Sequence, residues 1–178
     1  AMAPGMRASV LLLEGGRRIR HCSAPSLPQA YIDAIDGAEI GASVGSCGTA
    51  AYTGQQVITR DIATDPRWDG YRELALPHGL RACWSTPIFT SRREVLGTFA
   101  MYYDAPGEPT PGHQALIRFT TGVAAFAISR DSQQRQLEAL AYHDPVTGLP
   151  NRSLLQLRLE QALAEARAGG AAGEGLHG

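Results

Sequence analysis

The spacing of hydrophobic positions changes several times along this chain. "RASVLLLE" sets Ala8, Val10 and Leu12 on one side and Ser9, Leu11 and Leu13 on the other, so a strand here is partly apolar on both faces. Gly15-Gly16 and "RRIRHCS" follow, which predicts a hairpin with its turn at the glycine pair. "SLPQAYIDAIDG" shifts to helical spacing. Leu27, Ala30, Tyr31, Ala34 and Ile35 form a stripe, Ser26 is placed to cap it and Gly37 to end it. A glycine-rich loop leads into a short helical run over about residues 47–52, and the β-branched "QVITRDI" predicts a strand.

After Asp65-Pro66, a helix entry, the residues Trp68, Tyr71, Leu74 and Ala75 recur at helical spacing until Pro77 and Gly79. "ACWSTPIFTSRREVLGTFAMYYD" predicts a second hairpin around "SRRE". "APGEPTPG" breaks the pattern, and helical periodicity then runs over about residues 113–143. Mixed helices and antiparallel hairpins predict an α+β fold, an antiparallel sheet flanked by helices with a long C-terminal connector helix. The tail "GGAAGEGLHG" is low in complexity and reads as flexible.

Composition narrows the function classes. Lys and Arg number 16 against 17 Asp and Glu, a formal net charge of −1, so bulk charge implies no nucleic-acid partner. No apolar run is long enough to span a bilayer and no signal peptide is visible, so a cytoplasmic protein with no membrane partner is expected. Cys22, Cys47 and Cys83 form no CxxC pair, in keeping with a reducing compartment. No P-loop, GxGxxG or GxSxG motif is present, and no catalytic residue or metal set is expected.

"ASVLLLE", "VGSCGTAAYTGQQVITRDIATDP" and "LRACWSTPIFTSRREVLGTFAMYY" together resemble a GAF domain, the small-molecule-sensing relative of the PAS fold. The resemblance covers roughly residues 6–128 and lacks the family's first helix before Met6. "DPVTGLPNR", residues 144–152, resembles the opening motif of GGDEF domains, with Val146 where that family usually has Leu. It implies three segments: a GAF sensor at 1–128, a signalling helix at 129–143 and the truncated start of a GGDEF domain at 144–178. After Asn151, "SLLQLRLEQALAEARA" reads as that domain's first helix.

The resemblance implies a sensory or regulatory module of a cyclic di-GMP signalling protein, which binds a small ligand or relays a signal to a GGDEF output. The fragment itself is expected not to be an enzyme, because the cyclase residues of that family lie further on. The full-length protein is expected to be a diguanylate cyclase, a phosphodiesterase or both. Two alternatives stand beside it. One is an enzyme resembling the methionine sulfoxide reductases of the GAF family, using Cys47; the other is a dimerisation spacer with no ligand.

Candidate ligand-binding residues are Tyr52, Tyr71, His78, Cys83 and Trp84, an aromatic and partly polar set. The plainer reading makes Trp84 core and His78 a solvated loop residue. His78 and Cys83 superficially resemble a haem or bilin site, but no dense ligand set surrounds them, so the cofactor is left unknown. His21 and Cys22 are adjacent on a strand and face opposite ways. Cys47 enters a helix, where free N–H groups favour a thiolate; its plainer reading is a small residue at a tight turn. Arg17-Arg18 and Arg92-Arg93 read as solvated turn charges. In the connector, Leu116, Phe119, Val123, Phe126, Leu137 and Leu140 share one seam with polar Arg130 and Gln133. Residues up to Phe126 are expected to cover the sheet and those beyond it to form a parallel homodimer.

Overall fold

A computed structural model describes residues 5–142. The chain divides into two units, Ala1–Ile128 and Ser129–Gly178. The first is built on five antiparallel strands in the order β2-β1-β5-β4-β3. These are β1 (Arg7–Glu14), β2 (Arg18–Ser23), β3 (Val57–Thr59), β4 (Ala82–Phe89) and β5 (Val95–Tyr103). Four helices accompany the strands: α1 (Gln29–Ile35), α2 (Gly45–Thr53), α3 (Arg72–Ala75) and α4 (Pro111–Tyr142), of which α4 belongs to the first unit as far as Ile128. The expected α+β class and both expected hairpins are present. The GGDEF-like stretch and the helix expected after Asn151 lie outside the described residues.

Because strand side chains alternate, each central strand serves two cores. On one face Leu11, Cys83, Ala100 and Tyr102 pack with Tyr31 and Ile35 of α1 and with Cys47 and Ala51 of α2. On the other, Trp84, Ile88, Phe99 and Met101 pack with Ile117 of α4, joined by Val10, Ala124, Ala125 and Ile128. The apolar residues on both sides of β1 are thus accounted for. At Gly97, near the start of β5, a Cβ would stand 2.0 Å from the Leu11 carbonyl oxygen, so only glycine allows β1 to pair there.

Three local expectations need correction. Ser26 does not cap α1; Pro28 occupies the cap with extended backbone, and the Ser26 hydroxyl accepts from the Ala8 N–H at 3.4 Å. The single helix expected after Asp65 is three short pieces: a 3-10 turn Pro66–Trp68, α3, and a second 3-10 turn Leu76–His78. Asp69-Gly70 interrupts the first run and Tyr71 leaves helical geometry, with φ −128°. The part of the seam expected to cover the sheet is also misplaced, while the side chains of Leu137 and Leu140 lie outside the described residues. Leu116, Phe119, Val123 and Phe126 are exposed, and the sheet is covered by Ile117, Ala124, Ala125 and Ile128 instead. A helix that lies on a sheet presents one stripe, and Ile117-Ala124-Ile128 is the stripe that α4 presents.

Both edges of the sheet are occupied. Along β2, Ile19 donates to Ala38 and accepts from Gly37, and Ile40 donates to Arg17. Arg18 also binds Glu39 at 2.9 Å, so the charges at this tip are paired rather than merely solvated. On β3 and just after it, the Ile58 carbonyl accepts from Arg67 and the Arg60 carbonyl from Gly107. At the other hairpin tip Arg93 lies over the Phe89 ring, 4.6 Å from its centroid.

Candidate functional site

The cavity on the α2 face is small. It offers about 20 Å³ between β2, α1, α2, the Pro66–Trp68 turn and β5, and one side of it opens to solvent. Ile19, Tyr31, Cys47, Trp68, Tyr71 and Tyr102 supply most of its wall. One water needs roughly 10–15 Å³, so the innermost space holds one or two heavy atoms and a larger guest would extend through the open side.

The sequence "VGSCGTAA" builds this wall by being small. Residues 45–51 of α2 are all buried, and the helix can lie close to the sheet because none of them is large. Gly45 opens α2 with φ 54°, and a Cβ there would lie 3.6 Å from the Trp68 ring. Trp68 is held by hydrogen bonds. Its Nε1 donates to Ser46 Oγ and Thr59 Oγ1, both at 3.2 Å. Ser46 Oγ donates to the Cys83 carbonyl at 3.2 Å, and Thr59 Oγ1 donates to Asp65 Oδ2 at 3.0 Å. Asp65 in turn pairs with Arg67 at 2.6 Å. Burial opposes ionisation of Asp65, but hydrogen bonds from Arg67 and Thr59 outweigh it and hold its carboxyl below the usual range.

Cys47 lies in the first turn of α2, with its Sγ 3.5 Å from the Tyr102 hydroxyl. The neighbouring Cys83 thiol first, then the hydroxyls of Tyr102, Ser85 and Thr98, bring the Cys47 pKa down to about 7 against the pull of burial. Cys83 is displaced the other way, well above the ordinary thiol range, by burial and by the neighbouring Cys47. Burial also raises Tyr31 and Tyr102, so both phenols are protonated at neutral pH. Tyr31 meets Tyr102 edge-on, with ring centroids 6.0 Å apart.

The five candidate residues do not share one cavity. Tyr71 lines it, whereas Cys83 is buried in the same core cluster without lining it. His78 is half-buried beside it, with its ring 6.3 Å from that of Tyr31. Tyr52 is 59% exposed and lines a separate shallow groove with Leu13, Arg17 and Ile40. Trp84 lies on the opposite face of the sheet. Its Nε1 donates to the Gly107 carbonyl at 3.0 Å, and its ring packs against Tyr103 and His113. Among the cavity residues missed from sequence are Ile19, Tyr31, Ser46, Trp68 and Tyr102. One signal was available: Cys83 and Trp84 are consecutive on a strand and cannot both face one cavity. Among the described residues, no cluster of metal-ligating side chains occurs, and no helix is long and apolar enough to cross a membrane.

A family model described as the GAF domain matches residues 2–129. A methyl sulfide methyltransferase-associated sensor from Methanosarcina acetivorans is 39% identical over 128 residues; these are 71% of this chain but 13% of that protein. Among solved structures, the GAF domain of an Acinetobacter phosphoenolpyruvate-protein phosphotransferase superposes with TM-score 0.56 at 13% identity, over 74% of this chain and 75% of that one. A type II free methionine-R-sulfoxide reductase from Thermoplasma acidophilum gives TM-score 0.55 at 16% identity, over 70% and 79% of the two chains. At these identities the two structures speak for the fold alone.

Proposed function

Because the chain belongs to the GAF domain family, we propose that its first 128 residues are the sensory module of a larger signalling protein. The observation that carries this is the division of labour across the sheet. One face holds a small cavity with a titratable thiol, and the other holds α4. Strands β4 and β5 belong to both faces, so a change of packing around Cys83 or Tyr102 is felt one residue away at Trp84 or Tyr103, against α4. The sensor with 39% identity supports a sensory role.

The output is read from "DPVTGLPNR", whose likeness to the opening of GGDEF domains supports cyclic di-GMP synthesis or turnover in the complete protein. The exposed stripe Leu116, Phe119, Val123 and Phe126 supports a parallel pair of α4 helices. A parallel pair places two output domains at the same end. The test is a thermal-shift screen of small metabolites and dissolved gases, with mass and absorption spectra of whatever the purified protein releases. A stabilising ligand whose effect is lost in Tyr71→Ala is expected. An empty extract and no shift anywhere would favour the ligand-free spacer, and a Soret band would establish haem.

A second reading draws on the lowered thiol of Cys47: reduction of free methionine sulfoxide. It predicts turnover with a thiol reductant that disappears in Cys47→Ser.

A further inference from the structure

His21 pairs with Leu11 across β1 and β2, so its side chain lies on the face of the sheet that α1 and α2 cover. Only 9% of that side chain is exposed, and both ring nitrogens are buried without a hydrogen-bond partner among the described residues. Buried polar atoms ordinarily have one. The Asp36 carboxylate, at the C-terminal end of α1, stands just out of reach, with Oδ1 3.6 Å from Nδ1. Asp36 is already engaged. Its Oδ1 accepts from the His21 backbone N–H at 2.8 Å and its Oδ2 from Arg20 at 3.0 Å, while Arg20 also binds Glu14 at 3.0 Å. Two residues before His21, on the same side of β2, Ile19 lines the cavity together with Tyr31 and Ile35 of α1. The backbone ties the end of α1 to this strand: Ile19 donates to the Ala38 carbonyl at 3.0 Å and accepts from Gly37 at 2.8 Å.

We propose that His21 is a proton-operated wedge between β2 and α1, which loosens α1 and widens the cavity when its ring becomes charged. This rests on the reading of the cavity as the sensory site and adds acidity to what governs it. The neutral ring tolerates burial. An imidazolium carries two N–H donors and a charge, which the buried position leaves unsolvated. Swinging toward the partly exposed Asp36 gives Nδ1 a bond and turns Nε2 toward water. That movement draws the ring out from between the two elements, beside the cavity wall formed by Ile19 and Ile35. The charged groups of α1 that act on the ring are Asp36 and Asp33; on β2, Arg20 is held by Asp36, and the facing residue of β1, Leu11, is uncharged. Burial outweighs the two carboxylates and lowers the His21 pKa below the usual imidazole value of about 6.5. The His21 backbone N–H, more than Arg20, holds the Asp36 carboxyl below its usual range, so Asp36 stays ionised while His21 titrates. The stability contributed by neutral His21 is therefore complete above about pH 6.5 and is lost as pH falls through the folded value.

The test follows the whole chain by NMR between about pH 5 and about pH 8, reading the His21 ring resonances and the exchange of backbone amides. The His21 ring is expected to titrate below the usual imidazole value. Over the same range the amides of Ile19, Asp36 and Gly37, corrected for intrinsic exchange, should lose protection severalfold as the solution is acidified. Asp36→Asn should move this transition to lower pH, because the charge that favours the imidazolium is gone. His21→Phe, uncharged at every pH, should show no such loosening, which separates His21 from His78 and Cys47, the other titratable groups beside the cavity. The proposal is overturned if the ring titrates at or above the usual value, or if α1 loosens equally in His21→Phe. Titration and exchange in the parent protein decide it even if His21→Phe fails to fold. A metabolite bound through Tyr71 by a protein whose α1 amides are indifferent to pH would sink the wedge and leave the sensory reading standing. A titrating His21 with acid-loosened α1, but no ligand in any extract, would uphold the wedge and count against the ligand.

Discussion

At the scale of single residues, Trp84 shows how one side chain serves packing rather than binding. It is 2% exposed, with its indole N–H satisfied by Gly107 and its ring against Tyr103 and His113. Trp84→Ala should cost about 3–5 kcal/mol in urea unfolding, through lost burial and the cavity left behind. A midpoint unchanged from the parent would mean that the α4 face tolerates the gap. Asp65 makes the opposite kind of contribution. Its pKa is lowered in the fold, so its stabilisation is fully present above the unfolded carboxylate's value of about 4 and drains away as pH falls through the folded value. Asp65→Asn should lower the melting temperature at pH 7, where the Arg67 and Thr59 bonds are lost, by an amount equivalent to about 1–3 kcal/mol. The gap between parent and variant should narrow below pH 4. A constant gap across that range would assign the effect to shape rather than charge.

Elements differ in how far the sequence exposed them. β4 and β5 were legible because alternation and a polar turn are both local properties. Even the dual burial of β1 could be read from its two apolar sides. The start of α1 was missed because Pro28, fixed near helical φ, takes the cap position itself and leaves Ser26 outside the helix. The cavity was harder still. Tyr31 and Trp68 looked like stripe residues of helices, and only the fold brings them to Cys47 and Tyr102. Gly97 was likewise silent, since a glycine within a strand announces close approach without naming the neighbour. Gly97→Ala should therefore part β1 from β5 or abolish folding, while an alanine at exposed Gly122 should be nearly neutral or stabilising. Comparing the two by circular dichroism and thermal melts checks this; a folded, parent-like Gly97→Ala protein would contradict the close approach to Leu11.

On the scale of the whole molecule, the exposed stripe of α4 sets the expected association. Phe119 and Phe126 are each 71% exposed, and both lie on the side of α4 turned away from the sheet. Phe119→Glu with Phe126→Glu should shift sedimentation at micromolar concentration from dimer to monomer, leaving the melting of the sheet little changed. A parent protein that is already monomeric would remove the basis for a paired output.

The occupied edges of the sheet have a consequence for how this protein fails. A bare edge strand invites a neighbour's backbone and seeds cross-β growth directly from the folded state. Here β2 is already bonded by residues 37–40, and the outer carbonyls at 58 and 60 are taken by Arg67 and Gly107. The native sheet has little open backbone with which to nucleate a fibril. Aggregation should instead follow the population of unfolded chains, so turbidity on storage should track thermal stability more closely than protein concentration.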